Sequence, residues 1–242
     1  MRRRIFSHLA GVSGLAGFTS VLFPLIAQQN ASSLPEGIGT DNDYDGPLVT
    51  LRDFGTTPAL KEEVITATQI LKKAKGPTPV NVAEYFLAVG NGKYEKEWIP
   101  YVKGWPVRWN PLIVSFFEAT NTVPEGDVTP WCAAFTNWCF LRATGAAATK
   151  SASSGSFRTF GHPVSNPRYG DLVVFQSSDT TLANVGRGHV GFFVEKDSTH
   201  ITVLGGNQIK EGIHVINRQK IAIGPGSSLK LHSYRKGPTL HA

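Results

Sequence analysis

The hydrophobic periodicity of this 242-residue chain changes once, and that change bounds the fold. Up to Thr144 apolar residues recur at helical spacing; after Gly170 they alternate or run in short blocks between turn residues. Helices first and strands later predict an α+β domain with an antiparallel sheet. Thr57-Pro58 opens an amphipathic helix lined by Leu60, Val64, Ala67, Leu71 and Ala74, with acids early, lysines late and Gly76 as its stop. A second helix is expected over 81–90, with Val82, Tyr85, Phe86 and Val89 inward. A third, over 111–120, carries Leu112, Ile113, Phe116 and Phe117. Strands are expected over 171–175, 189–195, 201–204, 213–217 and 229–234, with a hairpin tip at 196–199.

Between these halves lies Thr129-Pro130-Trp131-Cys132-Ala133-Ala134-Phe135. Thr129 is a suitable N-cap and Pro130 suits the first helical position. Trp131, Phe135 and Trp138 share a face, and the helix is expected to run to Thr144 and stop at Gly145. Cys132 then sits in the first turn, at the positive end of the helix dipole. Such a site favours the thiolate and can bring a thiol pKa down to about 3.5–7.5. Cys139 lies on the same helix, about 10.5 Å away by seven residues of rise. That exceeds the roughly 7 Å limit for a disulfide, and Cys139 reads as core filling.

The first 27 residues carry Arg2, Arg3 and Arg4 ahead of an almost uncharged apolar run, the layout of an export signal. Arg3-Arg4-Ile5-Phe6 resembles a twin-arginine signal, with Ser7 in place of the usual leucine. Cleavage is expected after Ala27, giving a protein exported to the periplasm, the cell envelope or the exterior. The alternative is an uncleaved N-terminal membrane anchor, the one membrane contact foreseen. Residues 28–56 read as a linker and 57–104 as a helical N-terminal segment, with the catalytic domain over 105–237. Loss of three arginines and no acids with the leader lowers the net charge from +6 to +3. This mild basicity suits an anionic envelope polymer, and no basic stripe interleaved with aromatics points to nucleic acid.

A thiolate needs a base and a group to orient that base. Gly188-His189-Val190-Gly191-Phe192-Phe193 puts a histidine at the start of an apolar strand, between glycines that permit close backbone approach. Val203-Leu204-Gly205-Gly206-Asn207-Gln208 ends the next strand in an amide. If the two strands pair, Asn207 lies near the ring, where its carbonyl accepts the Nδ1 proton and leaves Nε2 facing the sulfur.

With Gly170-Asp171-Leu172-Val173-Val174-Phe175, these elements resemble the CHAP family of cysteine, histidine-dependent amidohydrolases/peptidases, related to NlpC-type cell-wall peptidases. The likeness spans roughly 105–234. It implies a papain-like fold, a nucleophile helix on a small antiparallel sheet, and cleavage of an amide bond in peptidoglycan. Cys132 and His189 match the catalytic pair, with Asn207 as orienter and no cofactor or metal. Many members carry a Glu two residues before that Asn, where this chain has Gly205. Asp127 is a candidate substitute, and the backbone N–H of Cys132 the one oxyanion donor that stands out. Asp171 reads as a hydrogen-bonding residue at a strand entry. The remaining histidines lack zinc-ligand spacing. The expected protein is a monomeric exported cysteine amidase or endopeptidase. Its alternatives are a catalytically silent wall- or partner-binding module on the same fold, and an acyltransferase using the same nucleophile.

Overall fold

The computed structural model describes residues 57–237. The expected leader over 1–27 and linker over 28–56 lie outside the described residues. Helix α1 (Lys61–Lys73) starts later than expected, because the Leu60 N–H donates to Glu63 Oε2 at 2.7 Å and closes the first turn there. Leu60 itself is 52% exposed, so the buried face begins at Val64. Helix α2 (Pro79–Gly90) starts two residues early, with Pro79 in the first turn, where its missing N–H costs nothing. It buries Val82, Tyr85, Phe86 and Val89, as their spacing requires.

A 3-10 turn over Lys96–Val102 leads to α3 (Pro111–Ser115), capped by Asn110, whose side chain accepts from Leu112 N–H at 2.9 Å. The expected ten-residue helix is shorter: from Phe116 it tightens into a 3-10 turn that ends at Ala119. Helix α4 (Cys132–Thr144) stops at Gly145, whose φ of 77° is the left-handed conformation that ends helices.

The strands are β1 (His162–Val164), β2 (Leu172–Ser177), β3 (Gly188–Lys196), β4 (His200–Lys210), β5 (Ile213–Ala222) and β6 (Leu229–Lys236). They form one antiparallel sheet in the order β1-β6-β2-β3-β4-β5, giving the α+β class read from the sequence. Strand β1 and the short helix α5 (Thr180–Asn184) had no clear sequence signal, being only three and five residues long. Asp197 makes the hairpin tip by accepting from the amides of Thr199 and His200.

One sheet face, with Leu172, Val174, Val190, Phe192 and Leu204, belongs to the core shared with the helices. The other carries a smaller cluster of Val173, Phe175, Phe193, Val203 and Tyr234. The segment before residue 105 is part of the main core. The Phe86 ring of α2 lies 5.4 Å from Phe116, 5.8 Å from Phe135 and 5.5 Å from Trp138. These edge-on contacts each add about 0.5–1.5 kcal/mol beyond burial, and they support the helix that bears Cys132.

Candidate active site

The approach to Cys132 differs in detail from the cap expected of Thr129. Helix α4 begins at Cys132 itself, behind Trp131, whose φ of −118° and ψ of 11° are non-helical. Thr129 Oγ1 instead accepts from the Glu125 N–H at 2.7 Å and closes the preceding loop. Cys132 is therefore the first helical residue, among amides that have no intrahelical acceptor.

What seats this helix mouth is an aromatic contact with β4. Trp131 and Phe135 are fully buried against Gly206. A Cβ there would stand 2.8 Å from Trp131 Cε3 and 3.0 Å from Phe135 Cβ, with the far edge of the indole closer still. Only a residue without a side chain lets strand and helix approach this far.

The Cys132 sulfur is buried, and the amides of Val190, Ala133 and its own residue are aimed at it. Those amides favour the thiolate, as the sequence reading anticipated. Burial outweighs them, however, and the thiol pKa is raised rather than lowered. The correction is physical: a helix terminus helps an ion, but here little solvent remains to do so.

His189 follows Gly188 at the start of β3 and pairs with Phe175 of β2, which sets its Cβ on the Phe175 side of the strand. Cys132 meets the strand at its edge, through the Val190 amide, one residue beyond the histidine. Past Gly191, β4 rises over this face: a Cβ on Gly191 would meet Leu204 O at 2.8 Å and Gly205 Cα at 3.4 Å. The imidazole is thus roofed over. Burial lowers its pKa to about 4, and Nε2 is closed to solvent with no hydrogen-bond partner. Nε2 faces Gly205, whose Cβ position lies 3.4 Å away. Nε2, the nitrogen expected to face the sulfur, thus lies against β4 instead.

Asn207 sits in an irregularity of β4, where the register with β5 shifts between Gly205 and Gln208, and its φ of 59° is left-handed. Asparagine tolerates this conformation better than most residues. It lines two adjoining clefts of about 590 and 530 Å³. Cys132 lines the first and His189 the second, while Gly188, Asn207, Ser228 and Leu229 line both. Another cavity, of about 480 Å³, lies by Phe140 and Thr144. That is the far end of α4, roughly 18 Å from Cys132 along the helix axis.

Other residues resolve into supports. Asp127 Oδ2 accepts from the Trp105 and Asn110 amides at 3.0 and 2.9 Å, which commits its carboxylate to holding that turn. Burial raises its pKa, opposed by those amides and by His214. Asp171 accepts from the Arg168 N–H at 2.7 Å at the entry to β2, the role read from its position. Cys139 is wholly buried in the core and its thiol is pushed well above the ordinary value.

Sequence reasoning passed over Asn137. Its amide donates to Ala133 O and Ser151 O at 3.1 and 2.9 Å, and its carbonyl accepts from Thr149 N–H at 2.7 Å. The 151–156 stretch is tied down by Asn137 and by Ser153 and Ser154, both donating to Gly186 O. A buried asparagine on an apolar helix face was the available signal. Among the described residues no group of three or more His, Cys, Asp or Glu side chains is placed to hold a metal. Nor is any described helix long and apolar enough to cross a membrane.

Residues 124–207, which hold Cys132, His189 and Asn207, match the CHAP domain family, and CHAP domains are papain-like. No curated protein and no solved structure matches the chain.

Proposed function

With a CHAP domain as the premise, we propose that this protein is an exported cysteine hydrolase that cleaves an amide bond of peptidoglycan, as an amidase or endopeptidase. Cys132 is the nucleophile, His189 carries the proton, and Asn207 orients the pair from the cleft side. The observation that carries the reading is the shared cleft: Gly188 and Asn207 line both the Cys132 and the His189 compartments, and the Val190 amide is aimed at the sulfur.

Burial holds both groups neutral near pH 7, the thiol by a raised pKa and the imidazole by a lowered one. Attack therefore begins from a thiol and a neutral base. The Cys132 S–H proton passes to Nδ1 of His189 as the sulfur adds to the scissile carbonyl carbon. The oxyanion gathers at the helix mouth, where the Cys132 N–H is a donor. Collapse breaks the C–N bond, the imidazolium returns its proton to the leaving nitrogen, and a thioester remains. Water deprotonated by His189 then releases the acid and regenerates the thiol.

The deciding experiment incubates the protein lacking residues 1–27 with purified peptidoglycan, beside Cys132→Ala. New free amines with the first protein alone support hydrolysis, and mass spectrometry of the fragments identifies the bond. No release by either protein favours the second reading, a silent wall-binding module. The specific observation behind that alternative is a neutral, buried thiol with no carboxylate at Gly205.

A further inference from the structure

The bulge that displaces Asn207 also turns Gln208 inward, to 3% exposure. Its Nε2 donates to Asn217 O at 2.7 Å, Gly205 O at 3.0 Å and Val203 O at 3.3 Å, plugging the carbonyls that the register shift leaves over. These bonds also fix the amide's orientation. A flipped amide would set its oxygen against three carbonyl oxygens, so Oε1 is held on the other side. Oε1 is buried and has no partner.

The side chains of His189 and Gln208, each with an unpartnered buried atom, thus border the Cβ position of one glycine. The Cβ position of Gly205 is 3.4 Å from His189 Nε2, 3.2 Å from Gln208 Nε2 and 3.6 Å from Gln208 Cδ. Because residue 205 has no side chain, nothing of its own stands between ring and amide. A buried acceptor and a buried ring nitrogen are each costly to leave unpaired, so a small closing movement that joins them is favoured.

We propose that Gln208 is the positioning residue of His189, its fixed Oε1 accepting the Nε2 proton and so holding the tautomer that leaves Nδ1 free to take the thiol proton. This rests on the reading of Cys132 and His189 as a catalytic pair. It gives the buried side of the ring to Gln208 and the cleft side to Asn207. An amide does this without a charge, so the imidazolium formed in each cycle is held less firmly than beside a carboxylate.

The test is proton and nitrogen NMR of His189 in the intact folded protein near pH 7. The wild type is expected to show a downfield, slowly exchanging Nε2–H resonance. Gln208→Leu removes the acceptor and is expected to lose that resonance. Because Gln208→Leu also frees three carbonyls and can fail to fold, Gly205→Ala is the second variant. It inserts a methyl between ring and amide while keeping the carbonyl bonds of Gln208, and the resonance is expected to move upfield or vanish. An Nδ1–H ring in wild type, or an unchanged resonance in either folded variant, overturns the proposal. So does loss of the resonance in Asn207→Ala alone. The readout needs no turnover: a downfield Nε2–H that Gly205→Ala abolishes, in a protein that leaves peptidoglycan intact, would sustain this assignment while removing the hydrolase reading.

Discussion

The amide of Val190 is aimed at the sulfur of Cys132, so the first residue of α4 is tied to the strand position that follows His189. One partner in this contact is backbone and the other is the Cys132 side chain, so it adds to the seat that Trp131 and Phe135 make on Gly206. The same contact line seals the sulfur, which explains why a thiol at a helix mouth is not a resting thiolate.

Thiol chemistry reads this directly. Alkylation of the free protein, followed by intact mass against pH, is expected to be slow at neutral pH. Its midpoint should lie above 9, the ordinary thiol value, since burial raises the Cys132 pKa. Cys139, enclosed in the core, should label only on unfolding. Fast labelling of Cys132 at pH 6 would show that a thiolate pre-exists.

Protonation of His189 should cost stability. Its pKa is lowered from 6.5 to about 4 in the fold, so between those values the unfolded chain binds the proton and the folded one does not. Stability is complete above pH 6.5 and declines as pH falls toward about 4, by on the order of 3 kcal/mol. Urea midpoints measured across this range should slope in wild type and be flatter in His189→Gln. Equal slopes would place the titration elsewhere.

Asp127→Ala is expected to destabilise the domain by about 2–4 kcal/mol, because it strands the buried amides of Trp105 and Asn110. The proton chemistry should survive wherever the variant is folded, since this carboxylate is engaged with those two amides. An unchanged urea midpoint would mean that water replaces it.

Gly206→Ala should lower stability by about 1–3 kcal/mol through overpacking. Its methyl group would overlap the Trp131 indole, next to Cys132. Turnover per folded molecule should fall with it, as the helix mouth is pushed from the strand. Full turnover in a folded Gly206→Ala protein would show that this seat is not needed.

Phe86→Ala tests whether the segment before residue 105 belongs to the working unit. Loss of a buried ring in contact with Phe116, Phe135 and Trp138 should cost about 3–5 kcal/mol and appear as one cooperative shift. A separate, earlier transition for α1 and α2 would contradict a shared core.

Much of this was legible in the sequence where local spacing and turn chemistry govern. The inward residues of α2, the Gly145 stop, the strand containing His189 and the hairpin at Asp197 follow from periodicity and from residues with restricted backbone preferences. Thr129 was misjudged because its hydroxyl bonds to Glu125 rather than to the helix, a choice between two local partners that spacing does not distinguish. Asn137 and Gln208 escaped notice because an amide's value depends on which carbonyls surround it, and those come from distant turns and strands.

By itself, then, the chain determined its α+β order and the placing of a cysteine at a helix start, since both depend on neighbours a few residues away. The protonation of Cys132 and His189, the burial of His189 Nε2, and the unpartnered acceptor of Gln208 were decided only in the tertiary structure. Solvent exclusion and hydrogen bonding at these atoms arise where β3, β4 and α4 close on one another, and no single segment encodes that closure.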